Sequence, residues 1–266
     1  MPVKCAASSS MIGQEEFHEI DHIVMGQVFA MHNSMGRFLD ERIYQDELAH
    51  RCANLGLEAM REVEVRVKHR DFQKSYFLDL LVGGGCLYEL KTAASLMSKH
   101  DREVIHYLLL TGLHHGKLVN LLPPSVESRF ISTRLTHKDR KTWTLDDRGW
   151  QPCGETGVSL RGLLFGLLDD LGLFLDAALY QEALVHLTQA SGGGIQPVPI
   201  IAGGRVAGIQ NLCLLNPECA WHLSANRENL DSYEIHIARL FSNTPLRSMH
   251  WINLNQRHVT IKTLTQ

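Results

Sequence analysis

Three residues stand out for the chemistry their types and spacing allow. Asp79 interrupts the apolar run Phe77-Leu78-Asp79-Leu80-Leu81, and Glu89 and Lys91 interrupt the next, Tyr88-Glu89-Leu90-Lys91. Side chains two apart on a strand share a face, so Glu89 and Lys91 point the same way on a strand. Between the runs, Gly83-Gly84-Gly85 is a hairpin signal that brings Asp79 beside them. Two acids and a lysine among apolar strands are costly to bury unless they hold a cation or pair together. Taken alone, the triad fits a cation site and a surface ion cluster equally well.

A repeat in the chain bears on that choice. The segment from Gly36 to Gln45 (GRFLDERIYQ) coincides with Gly172 to Gln181 (GLFLDAALYQ) at a constant offset of 136. At an offset of 133, Tyr88-Glu89-Leu90-Lys91 faces Trp221-His222-Leu223-Ser224, and Leu118 to Leu121 faces Trp251 to Leu254. Glycines, aromatics and apolar positions persist, whereas Glu41 faces Ala177, Asp79 faces Leu212, Glu89 faces His222 and Lys91 faces Ser224. That pattern suggests that the four ionisable residues serve chemistry in the first copy and are dispensable to the fold in the second. Gly36 and Tyr44 persist as Gly172 and Tyr180, and read as turn and packing residues.

The elements that must position these groups follow from periodicity. Ile20, Ile23, Val24, Val28, Phe29 and Met31 recur at helical spacing up to Gly36, and a second helix runs from about Leu39 to Leu55 with Glu41 in its first turn. Val63, Val65 and Val67 alternate as in a strand, Tyr76 to Val82 and Cys86 to Leu90 form the hairpin, Asp101 to Leu110 is helical, and Gly116 to Leu121 is a short strand. The same series recurs after about Leu160. The expected fold is α/β, two tandem modules, each a mixed central sheet flanked by helices. The expected divisions are a flexible tail over 1–14, a first module over 15–133, a connector over 134–153 carrying scattered Arg and Lys, and a degenerate second module over 154–266.

Composition excludes several classes. The 266 residues are 44% hydrophobic and 21% charged with a net charge of −3, which rules out a disordered or fibrous chain and a globally basic nucleic-acid binder. No apolar run is long enough for a membrane span and the start lacks a signal-peptide pattern, so a cytoplasmic location without membrane contact is expected. The six cysteines form no CxxC pair and are expected as free thiols. His18 and His22 have helical metal-pair spacing but no third ligand nearby, and read as a solvated helix face.

Asp-x9-Glu-x-Lys, with Gly26, His32, Gly36, Glu41 and Tyr44 before it and Tyr107-Leu108, Thr111-Gly112-Leu113 and Asn120 after it, resembles the GxxExxY family of the PD-(D/E)XK nuclease superfamily over about Asp21 to Leu121. Two positions depart from that pattern: Phe38 replaces the glycine three residues before Glu41, and Glu103 replaces a glutamine. The resemblance implies metal-dependent phosphodiester hydrolysis of nucleic acid, with DNA the expected substrate and Mg²⁺ (or Mn²⁺) the cofactor. It implies catalytic roles for Glu41, Asp79, Glu89 and Lys91, and metal ligation by Asp79, Glu89, the Leu90 carbonyl and Glu41. Glu103 and Tyr107 are implied on the substrate side. Superfamily members often dimerise, so a homo-oligomer, or a pseudo-dimer within one chain, is compatible with it. A single competent site per chain points to nicking or strand trimming. Two alternatives stay open: a catalytically inactive scaffold binding nucleic acid or protein, and a phosphodiesterase acting on a small nucleotide.

Overall fold

A computed structural model describes residues 2–265; Met1 and Gln266, at the ends of the first and last expected segments, lie outside the described residues. The chain divides into two compact units, Met1–Lys68 with Gln73–His137, and His69–Phe72 with Lys138–Gln266. In chain order the first carries β1 (Val3–Cys5), α1 (Gln14–Met35), α2 (Glu41–Asn54), β2 (Ala59–His69), β3 (Phe72–Val82), β4 (Cys86–Lys91), α3 (Ser98–Thr111), β5 (His115–Asn120) and β6 (Glu127–Ser132). There follow α4 (His137–Arg140), β7 (Thr144–Gly149), α5 (Gly154–Leu171), α6 (Ala177–Gln189), β8 (Gly194–Ala202), β9 (Arg205–Asn216), β10 (Cys219–Ser224), α7 (Leu230–Ser242), β11 (Ser248–Asn255) and β12 (His258–Thr265). Each unit is a six-stranded mixed sheet flanked by helices, ordered β1-β2-β3-β4-β5-β6 and β7-β12-β11-β10-β9-β8.

The two sheets agree in detail. The parallel ladder runs from Leu87↔Gly116 to Lys91↔Asn120 in one and from Cys219↔Ser248 to Ser224↔Asn253 in the other, the last five rungs of the second matching the first. The antiparallel neighbours match too, Leu80↔Tyr88 with Cys213↔Trp221 and His115↔Ser132 with Ser248↔Thr265. All three ladders keep the offset of 133 seen in the sequence.

In the first unit, α1 and α2 cover one sheet face. Phe17, Val24, Val28 and Met31 of α1 and Tyr44, Leu48 and Cys52 of α2 form one buried cluster with Leu80, Val82, Cys86, Tyr88 and Leu90. Helix α3 lies against the other face, where Gly116 allows a close approach: a Cβ there would stand 3.0 Å from Val104 Cγ1 and 3.4 Å from the Leu87 carbonyl oxygen. The strand residues with even numbers from 80 to 90 therefore build the core. Asp79, Glu89 and Lys91 alternate with them and belong to the α3 side.

Two expectations are corrected. Among the described residues of the expected tail, Val3–Cys5 form β1, which pairs antiparallel with β2 through Val3↔Val67, Lys4↔Arg66 and Cys5↔Val65. Beyond β1, Ser10 N donates to the Gly84 oxygen at 2.9 Å and Ile12 packs against Gly85. Within the expected first module, the polar stretch at Arg129 is a strand, β6, which pairs with β5. The expected connector 134–153 holds α4 and β7, the latter parallel to β12. Its Arg140 is buried and donates from Nη1 to the Leu171 carbonyl at 2.8 Å, satisfying an orphan acceptor at the end of α5. These short segments lack apolar alternation, because they pair by backbone on sheet edges and bury few side chains of their own. The six cysteines are free thiols, and His18 and His22 are exposed.

Candidate active site

The β3–β4 hairpin sets the centre of the site. Its ladder runs Val82↔Cys86, Leu81↔Leu87 and Leu80↔Tyr88, and one step further Asp79 comes abreast of Glu89. There the Asp79 side chain replaces a backbone partner: Oδ2 accepts from Leu90 N at 2.8 Å. Glu89 is 2% exposed, and its two oxygens differ. Oε1 accepts from Lys91 Nζ at 2.7 Å, whereas the buried Oε2 has no hydrogen-bond partner. Helix α3 closes the far side, with Glu103 Oε2 3.0 Å from Lys91 Nζ and Tyr107 Oη donating to Glu103 Oε1 at 3.5 Å.

Glu41 arrives from the first turn of α2. Its Oε1 accepts from Thr92 N at 2.9 Å and from Thr92 Oγ1 at 3.3 Å, just beyond the end of β4. Sequence reasoning gave Thr92 no role; a bond across 51 positions has no local signal. The structure thus brings Asp79, Glu89, Lys91, Glu103 and Tyr107 into one contiguous group. Glu41 is tied to the backbone beside it, and Leu90 presents its N–H to Asp79.

Burial governs the electrostatics. Desolvation lifts the Asp79 carboxyl to about 6, opposed by the Leu90 N–H and Lys91 and reinforced by the charges of Glu41 and Glu62. Glu89 is held well above the carboxylate range by desolvation first and by Asp79 second, with Lys91 pulling the other way. Burial alone would lower Lys91, but Glu89 and Glu103 outweigh it and hold the ammonium above its ordinary value. Burial also raises Tyr107, with Glu89, Glu103 and Asp79 adding to it.

These groups fit a hard divalent cation. A half-buried and a buried carboxylate set close together, one of them with a partnerless oxygen, are the oxygen donors such ions take, water supplying the other positions. Among the described residues, no three His, Cys, Asp or Glu side chains form a group able to hold a metal ion. The protein donors on hand are therefore the Asp79–Glu89 pair.

The second unit lacks this chemistry at the matching places. Leu212 comes abreast of His222 by the register of β9 and β10. His222 Nε2 lies 2.7 Å from Tyr233 Oη, burial lowering the imidazole below its ordinary value. Ser224, at the place of Lys91, bonds the Asn253 side chain at 2.7 Å. The shared framework is intact: Tyr44 Oη donates to the Gly36 oxygen at 2.8 Å, and Tyr180 Oη donates to that of Gly172 at 2.5 Å. Asn120 and Asn253 are both fully buried and fasten the loops after β4 and β10, through Ala93 and Asn226.

No curated protein matches the chain at a significant level. The crystal structure of SSO0001 is 20% identical in sequence, with a TM-score of 0.30, covering 47% of this chain and 62% of its own. This chain thus spans less than two thirds of that protein's length. No helix among the described residues is long and apolar enough to cross a membrane. A protein-family model of the PD-(D/E)XK nuclease superfamily matches residues 18–130, the stretch that holds Glu41, Asp79, Glu89, Lys91, Glu103 and Tyr107.

Proposed function

We propose that the first unit is a metal-dependent nuclease that hydrolyses phosphodiester bonds of DNA, and that residues 154–266 are a catalytically silent copy of it. The observation that carries this reading is the coupled Asp79–Glu89 pair, with Glu89 Oε2 partnerless and Lys91 Nζ 2.7 Å from Oε1, inside the matched stretch. Asp79 and Glu89 would hold Mg²⁺ or Mn²⁺, which when bound would supply charge neutralisation at the phosphate and an activated water. The Leu90 carbonyl is a further donor implied by the family resemblance. Lys91 keeps its ammonium beside this pair and stabilises negative charge as it develops on the attacked phosphate. Glu41, through Thr92, fixes the backbone that follows Lys91, and its negative charge adds to the pull on a cation. Tyr107 and Glu103 line the α3 side, toward the substrate.

Leu212, His222, Ser224 and Ala177 stand at the corresponding positions of the second unit, which leaves it without the required carboxylates. The shared order, registers and tyrosine–glycine bonds support descent of both units from one ancestor. With one competent site, each encounter cuts one strand. The test is incubation of supercoiled plasmid, and of labelled single- and double-stranded DNA and RNA, with Mg²⁺ or Mn²⁺. Nicked circles that precede linear product and disappear with Lys91→Ala are expected. Linear product without nicked circles rejects the single site, equal product from Lys91→Ala rejects the assignment, and cleavage of RNA alone rejects DNA as substrate.

A further inference from the structure

Lys91 is clamped between two carboxylates on different elements. Its Nζ lies 2.7 Å from Glu89 Oε1, on the same strand, and 3.0 Å from Glu103 Oε2, on α3. The two acids are unlike: the Glu89 side chain is 3% exposed and that of Glu103 36%. Tyr107, one helical turn along α3, holds the other oxygen of Glu103, so Oε2 is turned to Lys91. Glu89 must serve two cations in the proposed reaction. Its Oε1 already neutralises Lys91, and a divalent ion at its free Oε2 would repel that ammonium at short range. With β4 fixing the Lys91 backbone, the ammonium needs a second anion on its far side to stay at the site.

We infer that Glu103 is a positioning residue that retains the Lys91 ammonium when a divalent cation engages Glu89, so that the two positive charges act together. The inference rests on Asp79 and Glu89 being the cation ligands. Without the Glu103 carboxylate, Lys91 leans on Glu89 alone and competes with the metal.

Mn²⁺ affinity of the full chain, measured by calorimetry in a double-mutant cycle, tests this. Glu103→Gln is expected to weaken Mn²⁺ binding by about fivefold or more when Lys91 is present, and by less than about twofold in a Lys91→Met background. Equal losses in both backgrounds would show Glu103 acting as a ligand or by its charge alone, and would overturn the inference while leaving the cation site standing. No loss in either background overturns it as well. If the wild type takes up no Mn²⁺, or Asp79→Ala binds it equally well, the cation reading fails and the inference fails with it. Thermal unfolding of each variant accompanies the titrations, and Lys91→Gln replaces Lys91→Met if the latter does not fold.

Discussion

Asp79 shows how one side chain links the site to the stability of the fold. When folded, it keeps its proton to about pH 6 because burial outweighs the help of Leu90 N–H and Lys91. When unfolded, it ionises in the ordinary carboxylate range. Between those limits the folded chain binds more protons, so the contribution is present at low pH and is lost as pH rises through the window. The shift corresponds to about 3 kcal/mol. Asp79→Asn keeps an acceptor for Leu90 N–H and removes the ionisation. Urea unfolding between pH 4 and 7 should show wild type losing about 2 kcal/mol more than the variant. Parallel profiles would contradict this account.

Elements decide how the groups are held, and the tyrosine–glycine bond is the clearest case because it occurs in both units. Gly36 and Gly172 end α1 and α5 at φ of 77° and 70°, where a side chain would be strained, and Tyr44 and Tyr180 tie those turns to the next helix. Tyr180→Phe should cost about 1–2 kcal/mol in chemical denaturation, because the buried Gly172 carbonyl loses its donor, and Tyr44→Phe about 1 kcal/mol, because its bond to Gly36 is part-buried. Cleavage by folded Tyr44→Phe should stay near wild type, which a catalytic tyrosine would not allow. Contact between α3 and the sheet makes a second demand. At Gly116 a larger side chain meets Val104 and the Leu87 backbone, so Gly116→Val should cost about 2 kcal/mol or more by overpacking. Its Mn²⁺ affinity should fall as well, since α3 carries Glu103.

At the scale of the molecule, the question is how the second unit differs from the first. The differences in charge extend beyond the site: Asp21 and Lys117 form a part-buried ion pair at 2.8 Å in the first unit, whereas at the matching offsets the second has Gly157 and His250. Tyr88 Oη donates to that Asp21 at 3.3 Å, and Trp221 replaces it. Polar residues thus differ between the units on both sheet faces, and a difference in charge by itself does not mark a catalytic group. Position does: only the Asp79–Glu89 pair leaves a buried carboxylate oxygen without a partner among the described residues. Divalent-ion binding by the whole chain should therefore vanish with Asp79→Ala and be unchanged by Tyr233→Phe. Calorimetric titration with Mn²⁺ checks this, and residual binding in Asp79→Ala would move the site elsewhere.

Order, type and repeat of the elements were legible in the sequence because each long element has a strong period, and because the glycines closing helices and hairpins are local signals. So was the grouping of Asp79 with Glu89 and Lys91, since a hairpin with a three-glycine turn leaves little freedom of register. Residues 3–5, 127–132 and 144–149 were not legible as strands: their place comes from backbone pairing with distant partners, which short polar segments do not advertise. Tertiary structure alone decided that Glu41 is bound to Thr92, that Lys91 is shared between Glu89 and Glu103, and that one oxygen of Glu89 stays unpaired. Those outcomes depend on the approach of α2 and α3 to the end of β4, a matter of packing across dozens of residues that no spacing along the chain records.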